Sequence, residues 1–174
     1  MPESALGTIQ LPINTERLRL RSLTTDDAEA VFAILGHEPT IREVSFGQPT
    51  LEAAEQWLHR RMVNQQSAGF SMWGAEEHNE DHLVGLCGFF PTDDPQVAEL
   101  GYIIHADFWG QGWATETASA AVNAMTASGR HVVATIRPDN LASQRVAVKA
   151  GLTEVGEKTD PRGSLTIWRT PQSQ

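Results

Sequence analysis

The sequence predicts an α+β fold in which helices cover both faces of a mixed β-sheet. Segments with the two-residue period of strands recur from residue 17 to residue 168, and segments with helical spacing of apolar residues separate several of them. No linker, internal repeat or low-complexity tract divides the 174 residues, a length that suits one domain. We therefore expect a single domain over residues 1–174, with its core at about residues 15–170.

The first part of the chain predicts one strand followed by two helices. Residues 17–21 alternate arginine with leucine, which is typical of a strand with one buried face. Thr24 and Asp27 resemble the start of a capping box, and the apolar residues after them share one helical face. A second helix is expected after Pro49 and ends near Gly69.

Strands dominate the rest of the chain. A helix with small apolar residues on one face is expected after Gly112, and Asn140 caps a short helix that ends at Gly151. The predicted order is therefore β-α-α-β-β-β-α-β-α-β-β. The six strands of this part are predicted at residues 70–75, 83–90, 97–104, 132–136, 152–157 and 165–168.

The composition argues against membrane and nucleic-acid partners. The longest apolar run, residues 84–90, is too short to cross a bilayer. Thirteen Lys and Arg against 22 Asp and Glu give a net charge of −9, which repels a phosphate backbone and favours cationic partners such as amines. The first ten residues lack the features of a signal peptide, and the single cysteine, Cys87, cannot form an internal disulfide. We expect a cytoplasmic protein.

Gly110 and Gly112 form a turn between a predicted strand and a predicted helix. A ligand can approach a glycine backbone closely, and the free amides of a helix's first turn attract phosphate groups. A dinucleotide-binding fingerprint fits poorly, because Thr115 occupies the third glycine position and the turn follows at least four strands. A Walker loop is excluded, since the chain has no Gly-Lys-Ser/Thr. An ordinary tight turn is the remaining alternative for Gly-x-Gly alone.

The segment 110–116, GQGWATE, resembles the coenzyme A pyrophosphate loop of GNAT N-acetyltransferases, especially the RimJ/RimL-like branch that acetylates ribosomal-protein N termini. The similarity covers about residues 15–170, and it implies a mostly antiparallel seven-stranded sheet with splayed central strands. It also implies acetyl transfer from acetyl-CoA to an amine. Four more segments resemble parts of this family: residues 16–21 (ERLRLR), 85–89 (GLCGF), Asn140 with Ser143, and 149–152 (KAGL).

The resemblance assigns a set of residues to the co-substrate. The pantetheine arm of acetyl-CoA would lie between the strands at 97–104 and 132–136, and backbone amides would hold the pyrophosphate. Trp109 stands where many family members have arginine or glutamine, so more weight falls on the amides. The residues expected to bind acetyl-CoA are Ile103, Ile104, His105, Trp109, Gly110, Gln111, Gly112, Trp113, Ala114, Thr115, Asn140 and Ser143.

Glu99 and Ser143 are the candidate catalytic residues. Glu99 interrupts an apolar strand and would accept the amine proton, directly or through a water, with His105 as second choice. Ala147 stands where many family members have a tyrosine acid, so the resemblance leaves Ser143 to donate to the leaving sulfur or to position it. The alternatives are an exposed Glu99 at a strand start, a Ser143 bonded to nearby backbone, and an Asn140 that only caps a helix.

Other residues are weaker candidates for metal binding, catalysis or substrate contact. His78 and His82 lie across a polar turn and do not predict a metal site, and Cys87 is expected in the core. The resemblance makes residues between the first two helices weak candidates for substrate contacts. These residues are Glu43, Ser45 and Phe46.

The acceptor is the least determined part of the prediction. No nucleophile suited to a covalent intermediate stands out, which favours direct transfer. A protein N-terminal α-amine is favoured by the branch resemblance, and a small amine such as a polyamine, amino acid or aminoglycoside is the alternative. A CoA-binding module without turnover belongs to a different class and stays open. Homodimers are common in this family, so a homodimer is possible.

Overall fold

The computed structural model describes residues 6–43, 50–80 and 82–171, with the side chains of residues 41–43 left out. The capping box predicted at Thr24 and Asp27 is present at a 3-10 turn that leads into the first helix. Thr50 caps the next long helix by accepting from the Ala53 amide, and Gly69 ends it in the left-handed conformation. The helices are α1 (Ala28–Gly36), α2 (Glu38–Glu43), α3 (Leu51–Ala68), α4 (Trp113–Ala127) and α5 (Leu141–Lys149).

One mixed sheet contains all the strands of the described residues, in the order β1-β2-β3-β4-β5-β6-β8-β7. Every neighbouring pair is antiparallel except β5 and β6, which are parallel. The strands are β1 (Ile13–Asn14), β2 (Leu18–Arg21), β3 (Met72–Glu77), β4 (Leu83–Pro91), β5 (Val97–Ile104), β6 (His131–Ile136), β7 (Thr153–Asp160) and β8 (Gly163–Arg169).

The predicted element order is confirmed, with two additions. The sheet has eight strands instead of seven, because the two residues of β1 pair with β2. The second addition is α2, a six-residue helix between the two predicted ones. Both elements are too short to show a hydrophobic period, so the sequence pattern carries no signal for them.

The central strands splay apart as predicted. β5 pairs with β4 along its length, from the pair Pro91–Ala98 to the pair Gly85–Ile104. Its parallel pairing with β6 covers three residues and stops at the pair Glu99–Val133. Beyond Glu99 the edge of β5 that faces β6 has no strand partner among the residues described, so a gap opens in the middle of the sheet.

Two hydrophobic clusters lie on opposite faces of the sheet and fix the directions of side chains along β5. Leu100 and Ile104 belong to the cluster beneath α4 and α5, and Tyr102 packs against it. Ile103 belongs to the cluster beneath α1 and α3. Because side chains alternate along a strand, Glu99 lies on the α1–α3 side of β5 and Tyr102 on the α4–α5 side.

Glycines let β4 run close to both of its neighbours. A Cβ at Gly85 would stand 2.4 Å from the Ile103 carbonyl oxygen, and a Cβ at Gly88 would stand 2.2 Å from that of Ser71. Any side chain at these positions would push β4 away from β5 or β3. No helix of the described ranges is both long enough and apolar enough to span a membrane.

Candidate functional site

The gap between β5 and β6 opens into a cleft of about 1010 Å³. Its walls come from the second half of β5, the turn before α4, the first turn of α5 and the tip of the β7–β8 hairpin. The structure therefore brings together segments that are far apart in sequence. The predicted residues that line the cleft are Glu99, Ile103, Ile104, Trp109, Gly110, Gly112, Trp113, Ala114, Thr115, Asn140 and Ser143.

His105 and Gln111 are the predicted site residues that the cleft lining does not include. His105 instead lines a second cavity of about 400 Å³, where its ring centroid lies 4.2 Å from that of His37. Burial lowers the pKa of His105, and the neighbouring His37 lowers it further. The Gln111 side chain donates to the Asp107 carbonyl and accepts from the Trp113 indole. His105 consequently has no geometric support as a base in the cleft.

The turn before α4 has the conformation that only glycine adopts readily. Gly110 and Gly112 have φ angles of 75° and 83°, in the left-handed region. Gly112 is the N-cap of α4. In the part of the chain that the structure describes, no group accepts from the backbone amides of Trp113, Ala114 and Thr115. The positive end of a 15-residue helix therefore faces the cleft with free donors, which suits an anionic group.

A network behind this turn holds it in place. Glu116 accepts hydrogen bonds from the Thr15 hydroxyl at 2.6 Å and from the Arg17 amide and Nε at 2.9 and 2.6 Å. Arg17 Nη1 donates to the Gln111 carbonyl at 2.9 Å, and its guanidinium lies 3.9 Å from the ring centroid of Trp113. Burial disfavours the charged form of Glu116, but the hydrogen bonds from Thr15 and Arg17 outweigh it and lower the pKa.

Arg17 was missed as a site residue, although both ends of this network stand in segments that the sequence analysis singled out. Arg17 belongs to the alternating strand at residues 17–21, and Glu116 closes the GQGWATE segment. Their separation of 99 positions leaves no local signal that they meet. Residues 106–112 contain no Arg or Lys in place of the basic residue that the family resemblance puts at position 109. Trp109 itself donates from its indole to the Ile104 carbonyl at 2.7 Å.

Glu99 lies at the point where β5 and β6 separate. It is half-buried, and its Oε1 accepts a 2.8 Å hydrogen bond from the Thr135 hydroxyl on β6. Its Oε2 has no hydrogen-bond partner in the described ranges, so one carboxylate oxygen is available to a ligand in the cleft. The alternative of an exposed Glu99 at a strand start does not hold, because Glu99 is half-buried and lies inside β5.

Charged side chains at one end of the cleft were not anticipated. Arg137 Nη2 contacts Asp160 Oδ2 at 2.5 Å, and Arg162 Nη2 lies 3.9 Å from the same oxygen. The hydrogen bond from Arg137 is the main cause that lowers the pKa of Asp160. The sequence indicated only a hairpin turn at residues 160–163. Nothing in that pattern signals that the turn reaches a cleft beside β6.

Ser143 and Asn140 occupy the first turn of α5. Asn140 Oδ1 accepts from the Ser143 amide at 3.0 Å, which is the predicted cap. Ser143 Oγ accepts a 2.8 Å hydrogen bond from the Tyr102 hydroxyl. The alternative of a Ser143 hydroxyl bonded to nearby backbone therefore does not hold. Tyr102 also lines the cleft, and it was not predicted as a site residue because it lies 41 positions from Ser143, which leaves no local signal that the two meet. Position 147 is a buried alanine.

Thr40 holds the α2 segment at the edge of the cleft. Its hydroxyl accepts from the Ala106 amide at 3.2 Å and lies 3.2 Å from His37 Nδ1. Ser45 and Phe46, predicted as weak substrate contacts, lie outside the described residues, and the side chain of Glu43 is not described.

The remaining titratable candidates lie apart from the cleft. No group of three or more His, Cys, Asp and Glu residues within the described ranges is placed to hold a metal ion. His78 Nε2 lies 2.9 Å from the Thr15 carbonyl oxygen, and His82 stacks on Phe108. Cys87 is buried, which raises the pKa of its thiol to about 12, so it stays protonated and unreactive at neutral pH.

Comparison with known proteins agrees with this geometry. Residues 17–153 match the profile of the acetyltransferase (GNAT) domain family. The chain is 32% identical over 151 residues to the uncharacterized N-acetyltransferase YoaA of Bacillus subtilis, covering 83% of this chain and 84% of YoaA. The solved GNAT-family acetyltransferase of Bacillus anthracis superimposes with a TM-score of 0.81 at 22% identity, covering 91% of this chain and 97% of that one.

A second solved structure shares the fold. RimL, described as a ribosomal L7/L12 α-N-protein acetyltransferase in complex with coenzyme A, superimposes with a TM-score of 0.81 at 19% identity. The superposition covers 91% of this chain and 96% of RimL. At 22% and 19% identity, the two superpositions show only that the fold is shared. The profile match and the identity with YoaA are similarities of sequence.

Proposed function

Because the chain belongs to the GNAT acetyltransferase family and is an acetyl-CoA-dependent N-acetyltransferase, we propose that its acceptor is the α-amine of a protein N terminus. The observation that carries the proposal is the cleft at the β5–β6 gap, which continues to the charged tip of the β7–β8 hairpin. It joins the turn with free backbone amides at one side to the Glu99 carboxylate oxygen that has no described partner and to the hydroxyl of Ser143.

The residues of the cleft fit acetyl-CoA. Free amides from Trp113 to Thr115 would hold the pyrophosphate at the end of α4. The edge of β5 that has no strand partner beyond Glu99 would bind the pantetheine arm, in the way that a further strand would. When bound, acetyl-CoA supplies the activated acetyl group, and the protein residues place the amine beside it.

Glu99 and Ser143 would act from opposite sides of β5. Glu99 lies on the α1–α3 side, so the amine would approach from that side and give its proton to Oε2 of Glu99. A positioned base of this kind contributes about 10² to 10⁴ in rate. Ser143 lies on the α4–α5 side and would donate a hydrogen bond to the departing sulfur. Transfer is then direct, since the one buried cysteine is protonated.

A protein N terminus is supported by two features. The motifs at residues 110–116 and 140–152 resemble the RimJ/RimL-like branch, and RimL shares the fold. The cleft also continues to the hairpin tip, where Arg137, Asp160 and Arg162 can contact the polar backbone of an extended peptide. A small amine is the second candidate, favoured by the carboxylates of Glu99 and Asp139 along the same cleft.

The test is release of free CoA thiol with a panel of acceptors. A peptide with a free N terminus is compared with the same peptide blocked at its N terminus and with a set of polyamines, amino acids and aminoglycosides. We expect turnover with the free peptide alone. Turnover confined to small amines would favour the second candidate. Thermal stabilisation by CoA without turnover on any amine would favour a binding module.

Cell fractionation and size-exclusion chromatography would test the expected cytoplasmic location and the possible homodimer.

A further inference from the structure

Tyr102 is the single tyrosine of the chain, and it lies in the cleft where its hydroxyl donates to Ser143 Oγ at 2.8 Å. Its ring packs against the cluster beneath α4 and α5. Burial is the main cause that raises the pKa of Tyr102 above the ordinary tyrosine value. The phenol is therefore a hydrogen-bond donor throughout the neutral range.

This hydrogen bond determines what the Ser143 hydroxyl can do. A serine hydroxyl has one hydrogen to donate and two lone pairs to accept. The hydroxyl of a serine in the first turn of a helix commonly donates its hydrogen to a nearby backbone group. Here Tyr102 is the one hydrogen-bond partner of Ser143 Oγ within the described residues, and it fills an acceptor position. The hydrogen of Ser143 is left free to point into the cleft.

We propose that Tyr102 is a positioning residue that fixes the Ser143 hydroxyl so that its hydrogen points at the sulfur leaving from acetyl-CoA. The inference rests on the proposed acetyl transfer. In that transfer the amine lone pair forms the carbon–nitrogen bond and the amine proton goes to Glu99. The carbon–sulfur bond breaks, and its electron pair stays on sulfur. Ser143 stabilises this thiolate by a hydrogen bond, and the thiolate later takes a proton from water.

The placement along β5 agrees with this role. Tyr102 stands three residues after Glu99, about 10 Å along the strand, and on the opposite face of the sheet. The group that receives the amine proton and the pair that stabilises sulfur would therefore flank the reacting atoms from two sides.

The substitution Tyr102→Phe tests the inference because it keeps the ring and removes only the hydroxyl. We expect kcat to fall about tenfold with KM for acetyl-CoA unchanged, since one aligned hydrogen bond to a charged atom is lost. Ser143→Ala should give a loss of similar size. The double variant should be no slower than the slower single variant, because both substitutions remove the same interaction.

A second measurement needs no acceptor, so it tests the role of Tyr102 even if the proposed acceptor is wrong. The thiol of bound coenzyme A is titrated through the ultraviolet absorbance of its thiolate. Cys87 does not interfere, because its own pKa is about 12. We expect the acid dissociation constant of the bound thiol to be about tenfold smaller in Tyr102→Phe and in Ser143→Ala than in the native protein.

Ser128→Ala is the matched control, since it removes a buried hydroxyl that donates to the Met125 carbonyl, outside the cleft. It should leave kcat and the thiol titration unchanged. The inference is overturned if Tyr102→Phe matches the native protein in both measurements. It is equally overturned if the losses from Tyr102→Phe and Ser143→Ala multiply in the double variant, because Tyr102 would then act independently of Ser143.

Discussion

The two halves of the cleft are built in different ways. The turn before α4 presents backbone amides, and its shape is set by two glycines with positive φ and by the Arg17–Glu116 network. The half that contains the two proposed catalytic residues presents side chains, each held by a single hydrogen bond: Glu99 by Thr135 and Ser143 by Tyr102. We therefore expect substitutions in the first half to change co-substrate affinity and substitutions in the second half to change turnover.

The largest effect is expected from Glu99→Gln. The amide can still accept from Thr135, but it cannot take the amine proton, so kcat should fall about 100-fold or more at neutral pH. The dissociation constant for CoA, measured by calorimetry, should stay near the native value. Unchanged kinetics from about pH 6 to about pH 9 would remove Glu99 from the role of base.

A smaller effect is expected from Gly112→Ala, and we expect it in the dissociation constant for CoA and not in kcat. Forcing alanine to the φ of 83° costs about 1–2 kcal/mol, which the turn can avoid only by changing shape. CoA should then bind about tenfold more weakly. Gly156→Ala is the matched control, since its φ is not in the positive region and a Cβ there meets no atom within 4 Å. Equal CoA affinity in the two variants would contradict the backbone role of the turn.

Glu116→Gln should cost less, because the ion pair with Arg17 is partly exposed. We expect a loss of affinity for CoA of a few-fold and a loss of about 1 kcal/mol in the free energy of unfolding. Since the folded-state pKa of Glu116 is lowered, its contribution is present above the unfolded value of about 4.3 and is lost as the pH falls through the folded value.

Denaturant titrations of the native protein and of Glu116→Gln at a series of pH values test this dependence. The difference between their unfolding free energies should shrink as the solution becomes acidic. A difference that stays constant down to acid pH would mean that the charge of Glu116 is not what holds the turn.

The smallest effect is expected from His105→Asn. His105 lines the second cavity, and asparagine can replace it in accepting from the Asp107 amide. The value of kcat should change less than about twofold, because no proton-transfer group is removed from the cleft. A large loss with unchanged CoA affinity would return His105 to the list of candidate bases.

Local patterns in the sequence predicted the parts of the site that are local in the chain. The glycine turn, the Asn140 cap and the element order all leave signals within about ten residues, and their positions agree with the structure. The contacts that the sequence missed join distant positions, such as Arg17 with Glu116 and Tyr102 with Ser143. Their geometry depends on how β2, β5 and the two helices pack, which no periodicity encodes.

The short pairing between β5 and β6 has a consequence for stability. Three residue pairs are the whole of the described strand pairing between the block β1–β5 and the block β6, β8 and β7, and the Thr135–Glu99 side-chain hydrogen bond lies beside them. A pantetheine arm in the gap would form hydrogen bonds with both β5 and β6 and so connect the two blocks. Coenzyme at 100 times its dissociation constant would then add about 2.7 kcal/mol to the unfolding free energy. Amide exchange should slow most along the facing edges of these two strands.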